Sequence, residues 1–136
     1  MNFIRGVDLK RALQLTYRVY LCGNLEKPQE CLKWIPDNKL EIGTSFYGKF
    51  TGDHPHFHSV ATEYNYVMCG TSKVLMIDEG KEYTFGEDTL FVIPPHTRYA
   101  SKHMGGTKIL FVKNPGGNDK NLISVDESLK QWLETW

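Results

Sequence analysis

The chain has 136 residues, 40% hydrophobic and 24% charged, with 16 Lys and Arg against 16 Asp and Glu. That length and composition suit one soluble globular domain with a real core. Zero formal net charge argues against a basic nucleic-acid footprint or a polybasic membrane anchor, and no apolar run is long enough to span a bilayer.

The first forty residues mix signals. Asp8–Ala12 reads as a short helical turn capped by Asp8. Leu13, Leu15, Tyr17, Val19 and Leu21 then alternate with more polar residues, the period of a half-buried strand, up to a turn at Gly23-Asn24. Trp34-Ile35-Pro36 fits helix or loop equally. Arg5, Lys10, Arg11 and Arg18 against Asp8 alone make a basic stretch, read as a solvated face. No apolar run follows the first basic residue, so no signal peptide is expected. Cys22, Cys31 and Cys69 form no C-x-x-C and are expected to be reduced thiols in a cytoplasmic protein.

From residue 40 the chain becomes a succession of short strands. Leu40–Ile42, Thr44–Phe50, Glu63–Cys69, Lys73–Ile77, Lys81–Phe85, Thr89–Ile93 and Lys108–Val112 are rich in Val, Ile, Tyr, Phe and Thr. Turn signals at Gly70-Thr71, Asp78-Glu79-Gly80, Gly86-Glu87-Asp88 and Gly105-Gly106 separate them. Such spacing predicts an all-β sandwich or barrel. After Pro115–Asn118, Ser124-x-x-Glu127 has the form of a capping box, and Leu129, Trp132, Leu133 and Trp136 follow at helical spacing. A helix over 125–136 is predicted, packed on the barrel, with a dimer contact as the alternative.

All five histidines lie between positions 54 and 103. His54, His56 and His58 recur at period two, so in an extended segment His56 and His58 point the same way. His54 shares that parity, although Pro55 bends the chain beside it. Glu63, five residues beyond His58, can approach the same point across a turn. Two imidazoles and a carboxylate are the ligand set of many catalytic Zn²⁺ and non-haem Fe²⁺ sites.

His56-x-His58, Glu63 and Gly70 resemble the first motif of the cupin superfamily, H-x-H-x(3,4)-E-x(6)-G, with every spacing satisfied. The family's leading Gly is missing: Phe50 stands there, between Gly48 and Gly52. The second motif, G-x(5-7)-P-x-G-x(2)-H-x(3)-N, is matched by Gly86 and Pro94, and then departs. His96 occupies its Gly position, Tyr99 its His position and His103 its Asn position. The resemblance implies a cupin double-stranded β-helix, a jelly-roll barrel, in a single domain over 1–136. Its barrel core would cover about 40–114, with an N-terminal extension and a C-terminal helix.

The resemblance also implies a divalent transition metal, Fe, Zn, Ni or Mn, on His56, His58 and Glu63. Four arrangements stay open: these three residues alone, Tyr99 joining as a phenolate ligand, His103 swinging in from the same strand face (or His96 from the rim), or no metal at all. Tyr99 and Glu63 are the candidate catalytic groups. His54, Asn65 and His96 are candidates for the substrate pocket, Asn65 through its parity with Glu63 and His96 from the barrel rim. The expected function is a metalloenzyme, of isomerase, lyase or dioxygenase type, acting on a polar metabolite or sugar derivative. The alternative is a non-catalytic cupin that binds or senses a small ligand, and a third reading is an accessory subunit docking through Trp132 and Trp136. A small-molecule partner, no nucleic acid or membrane, and a homodimer are expected.

Overall fold

In the computed structural model, which describes residues 1–136, the N-terminal segment departs first from expectation. A helix, α1, spans Gly6–Leu15, and the strand β1 begins only at Arg18 and runs to Gly23. Leu9, Ala12 and Leu13 sit at helical spacing and pack against β1, where Ala12, Val19 and Leu32 form a buried cluster. Three-residue periodicity with a burial partner therefore overrides the alternation through Leu13 and Leu15.

Ile35–Pro36 makes a short β2, parallel to β1. The remaining strands are β3 Glu41–Tyr47, β4 Thr51–His58, β5 Thr62–Cys69, β6 Ser72–Met76, β7 Lys81–Phe85, β8 Thr89–Ile93, β9 Tyr99–His103, β10 Thr107–Asn114 and β11 Lys120–Leu122. They form two sheets, ordered β2-β1-β3-β10-β5-β8 and β11-β4-β9-β6-β7. The two strands expected at 40–42 and 44–50 are one, β3. Gly43 continues it because the Phe111 ring lies over it, where a Cβ would come 2.3 Å from the ring tip.

Helix α2 spans Glu127–Glu134, and its cap is Asp126, which accepts the Leu129 N–H at 2.8 Å, rather than Ser124. It lies on the second sheet. The fully buried Lys102 of β9 donates to the Trp132 and Thr135 carbonyls at 2.7 and 2.6 Å, with its ammonium 4.0 Å from the Trp132 ring centroid. These contacts satisfy carbonyls that a helix end leaves free. Neither helix is long and apolar enough to cross a membrane.

Gly70 closes the β5–β6 turn at φ +85°, and a Cβ there would lie 2.5 Å from the Thr107 Cα. The expected result for Gly70→Ala is a loss of about 2–4 kcal/mol, since backbone strain adds to overpacking. Urea unfolding of the purified variant measures it, and a change below about 0.5 kcal/mol, the size of an ordinary surface substitution, contradicts the assignment.

Candidate metal centre and cavity

The two sheets enclose a cavity of about 620 Å³. Its polar lining has a simple origin. In β1, Val19 and Leu21 turn outward beneath α1, so Arg18 and Tyr20 face inward. In β5, Tyr64 and Tyr66 are on the outer face, while Glu63 and Asn65 line the cavity.

His56 and His58 come from β4, Glu63 from the start of β5 and Tyr99 from the start of β9. One ligand atom from each of His56, His58 and Glu63 lies within 4.8 Å of the others. Tyr99 Oη sits 2.8 Å from His56 Nε2 and donates to Glu63 Oε2 at 2.6 Å. His58 Nε2 lies 3.4 Å from the same Glu63 oxygen.

The outer nitrogens fix the tautomers. His56 Nδ1 donates to the His54 carbonyl at 2.8 Å, and His58 Nδ1 donates to Asp119 Oδ1 at 2.9 Å. Both Nε2 atoms therefore turn lone pairs toward Glu63 and Tyr99 when the rings are neutral. Burial pushes the His56 imidazolium down to about 4. Burial also opposes charge on His58, but the carboxylates of Glu63 and Asp119 on either side of the ring prevail and raise its pKa. Glu63 is held ionised: burial opposes this, and the neighbouring His58 imidazole and the hydrogen bond from Tyr99 outweigh it. Burial and the Glu63 charge push the Tyr99 phenol well above its ordinary range, so it keeps its proton at neutral pH.

Two imidazole nitrogens and a carboxylate oxygen thus converge around a single phenolic O–H. One proton cannot satisfy three lone pairs at once. An N₂O donor set of this kind fits a divalent transition metal.

The other expected site residues lie elsewhere, with one exception. Asn65 is buried in the cavity wall and its amide makes no hydrogen bond to the protein. His54 is turned out, with Nε2 3.1 Å from the Ile123 carbonyl. The cause is a β-bulge: Asp53 pairs with Ser101 and His56 with Tyr99, leaving one extra residue on β4 at His54-Pro55. His96 is exposed at φ +61°, and it is its backbone N–H that serves the site, donating to the His58 carbonyl at 2.7 Å. His103 does face inward, but four residues along β9 from Tyr99 is a separation of roughly 13 Å. There it receives the Ser72 hydroxyl at Nδ1 (2.8 Å) and donates from Nε2 to Asp53 (3.1 Å). Ser72 is wholly buried, so this Ser-His-Asp chain offers no nucleophile.

Several groups at the site carried no sequence signal. The bulge that turns His54 outward brings Asp53 into the cavity, where it accepts from Tyr47 at 2.8 Å and pairs with Arg18 at 3.6 Å. Asp119 precedes β11 and ties together His58, Lys113 and the β4–β5 turn.

No family model and no curated protein matches the sequence. Solved structures do. The Streptomyces nucleoside dehydratase Pac13, with uridine, is 18% identical over 68% of this chain and 75% of its own, with a TM-score of 0.57. A Klebsiella pneumoniae protein with a double-stranded β-helix domain is 13% identical over 65% of this chain and 78% of its own, TM-score 0.57. The chain has the cupin fold. The polyketide cyclase RemF from Streptomyces resistomycificus is another cupin barrel of this shape, 16% identical over 73% of this chain and 70% of its own, TM-score 0.57. At such identities the likeness speaks for the fold alone.

Proposed function

We propose that this cupin is a divalent-metal-dependent lyase or isomerase acting on a small polar molecule held in its cavity. The observation that carries the reading is the convergence of His56, His58 and Glu63 on one point beside the Tyr99 hydroxyl. When bound, the ion would supply a Lewis acid for a substrate oxygen. His56 and His58 would hold it through Nε2, and Glu63 through its carboxylate.

Tyr99 holds the one mobile proton of the cluster, shared between contacts to Glu63 and His56. A substrate atom set beside Oη can receive that proton, or surrender one to Oη as the phenol's own proton passes to Glu63 or His56, which is the duty of a general acid or base. The free amide of Asn65 and the hydroxyl of Ser101 line the same cavity and can orient a substrate's polar groups. This acid–base capacity favours lyase or isomerase chemistry over oxygenation. The use of the same fold by a nucleoside dehydratase supports the same direction.

Elemental analysis of the purified wild type and of the His56→Ala/His58→Ala variant tests the reading. Stoichiometric transition metal in the wild type and none in the variant is expected. Equal and negligible metal in both, after incubation with each candidate ion, overturns it.

A further inference from the structure

We propose that the substrate is a small organic oxyanion, with its charged group held between Arg18 and Lys120. This names a substrate class for the site above. It rests on that reading for the reaction but not for the binding.

The cations lining the cavity differ in how far protein partners satisfy them. Lys113 is committed: its Nζ lies 3.0 Å from Asp119 and 3.7 Å from Glu41 and donates to the Gly117 carbonyl at 2.7 Å. Arg18 is only partly committed. Its Nε donates to Ser45 at 3.0 Å, and its Nη2 meets Tyr47 at 3.3 Å and Asp53 at 3.6 Å. Nη1 has no protein partner. It is not a sealed-off orphan either, because every side-chain polar atom out of reach of solvent has a partner. Its two N–H groups therefore open onto the cavity that Arg18 lines.

Lys120 supplies the second donor. It stands opposite His58 in the β11–β4 register, so its side chain leaves the same face of the sheet as that imidazole. It lines the cavity and forms neither an ion pair nor a hydrogen bond with the protein. Burial lowers its pKa, the charge of Arg18 acts in the same direction, and the charges of Asp53 and Glu63 oppose them only in part. An oxyanion between the two cations would remove their repulsion and gain charge-assisted hydrogen bonds from both.

The lining carboxylates have partners of their own: Glu41 pairs with Lys113 at 3.7 Å, and Glu26 accepts from Asn118 at 3.3 Å. Asp53 is occupied by Arg18, Tyr47 and His103, and Glu63 by Tyr99 and His58. The Arg18 guanidinium is also pre-set for its task. Ser45, Tyr47 and Asp53 fix its plane, and the Phe111 ring lies 5.6 Å away. Such a group loses little freedom when it binds.

The test is titration of the full-length protein with malonate and, separately, with inorganic phosphate, followed by calorimetry at constant ionic strength. Sodium chloride is the control. Saturable binding of either anion, weakened roughly tenfold or more in Lys120→Met, supports the proposal. Malonate alone points to a carboxylate substrate, phosphate alone to a phosphorylated one. The Lys120 side chain holds no protein partner, so its variant is expected to fold; Arg18→Gln is the second variant, with the same expected loss. No saturable binding beyond chloride, or binding undiminished in Lys120→Met, overturns the proposal. Binding that persists in His56→Ala/His58→Ala is also expected, and binding lost there but kept in Lys120→Met assigns the anion to the metal and overturns it. A wild type without metal that still binds the anion leaves this inference standing while the metalloenzyme reading falls.

Discussion

Asp53→Asn is expected to lower folding stability by about 3 kcal/mol at pH 7, read as the displacement of a urea unfolding curve. Its carboxylate accepts from Tyr47 and His103 and pairs with the Arg18 charge at 3.6 Å. Burial alone would raise its pKa, but the His103 hydrogen bond and the Arg18 charge hold it at about 2, against an ordinary 3.8. That depression corresponds to roughly 2 kcal/mol of stability. The amide also leaves Arg18 without its counter-charge. Breaking a buried pair costs about 3–5 kcal/mol, and the lower end applies here because the cavity leaves Arg18 partly solvated. The pH dependence has a definite sign. A carboxylate with a depressed folded-state pKa contributes fully above its unfolded value and loses that contribution as pH falls through the folded value. The stability gap between wild type and Asp53→Asn should therefore be complete above about pH 4 and shrink toward pH 2. A gap that stays constant over that window would show that the charge on Asp53 is not what the fold uses.

Asp53 also shows where the sequence stopped being legible. The spacing of His56, His58, Glu63 and Gly70 pointed to the cupin barrel and to three residues that do converge, because a strand's period of two is local and survives folding. Parity did not survive the extra residue at His54-Pro55, which exchanged the facing of His54 and Asp53. Hydrophobic alternation misled for a related reason. It assumes an apolar interior, whereas this barrel encloses a polar cavity, so the polar face of β1 is the inward one and Arg18 is a cavity residue. β4 and β9, which carry the cluster, were absent from the expected strands. Their His, Pro, Asp and Lys content is poor in the β-branched residues by which strands are recognised, and their pairing comes from neighbours distant in sequence.

Asp119→Ala is expected to weaken divalent-metal binding about 10–100-fold, although the residue touches no ligand point. One oxygen accepts from His58 Nδ1 at 2.9 Å and lies 3.0 Å from Lys113 Nζ, while the other accepts the Val60 and Ala61 N–H groups at 3.0 and 2.7 Å. These donors, the Ala61 N–H foremost, overcome the cost of burial and keep the carboxylate ionised far below the usual range. It thereby holds the proton of His58 on Nδ1 and presents the Nε2 lone pair to the cluster. By gripping the turn at Val60-Ala61 it also sets the separation of His58, which ends β4, from Glu63, which begins β5. Asp119→Asn tells the two effects apart. The amide oxygen can still accept from the turn but has lost the charge and cannot satisfy every donor, so an affinity between wild type and the alanine variant is expected. Metal titration monitored by competition with a chelator reads all three proteins. A folded Asp119→Ala protein with affinity within about twofold of wild type would mean that β4 and the turn hold His58 and Glu63 in register without it, since an outer-shell carboxylate that orients a ligand normally costs tenfold or more when removed.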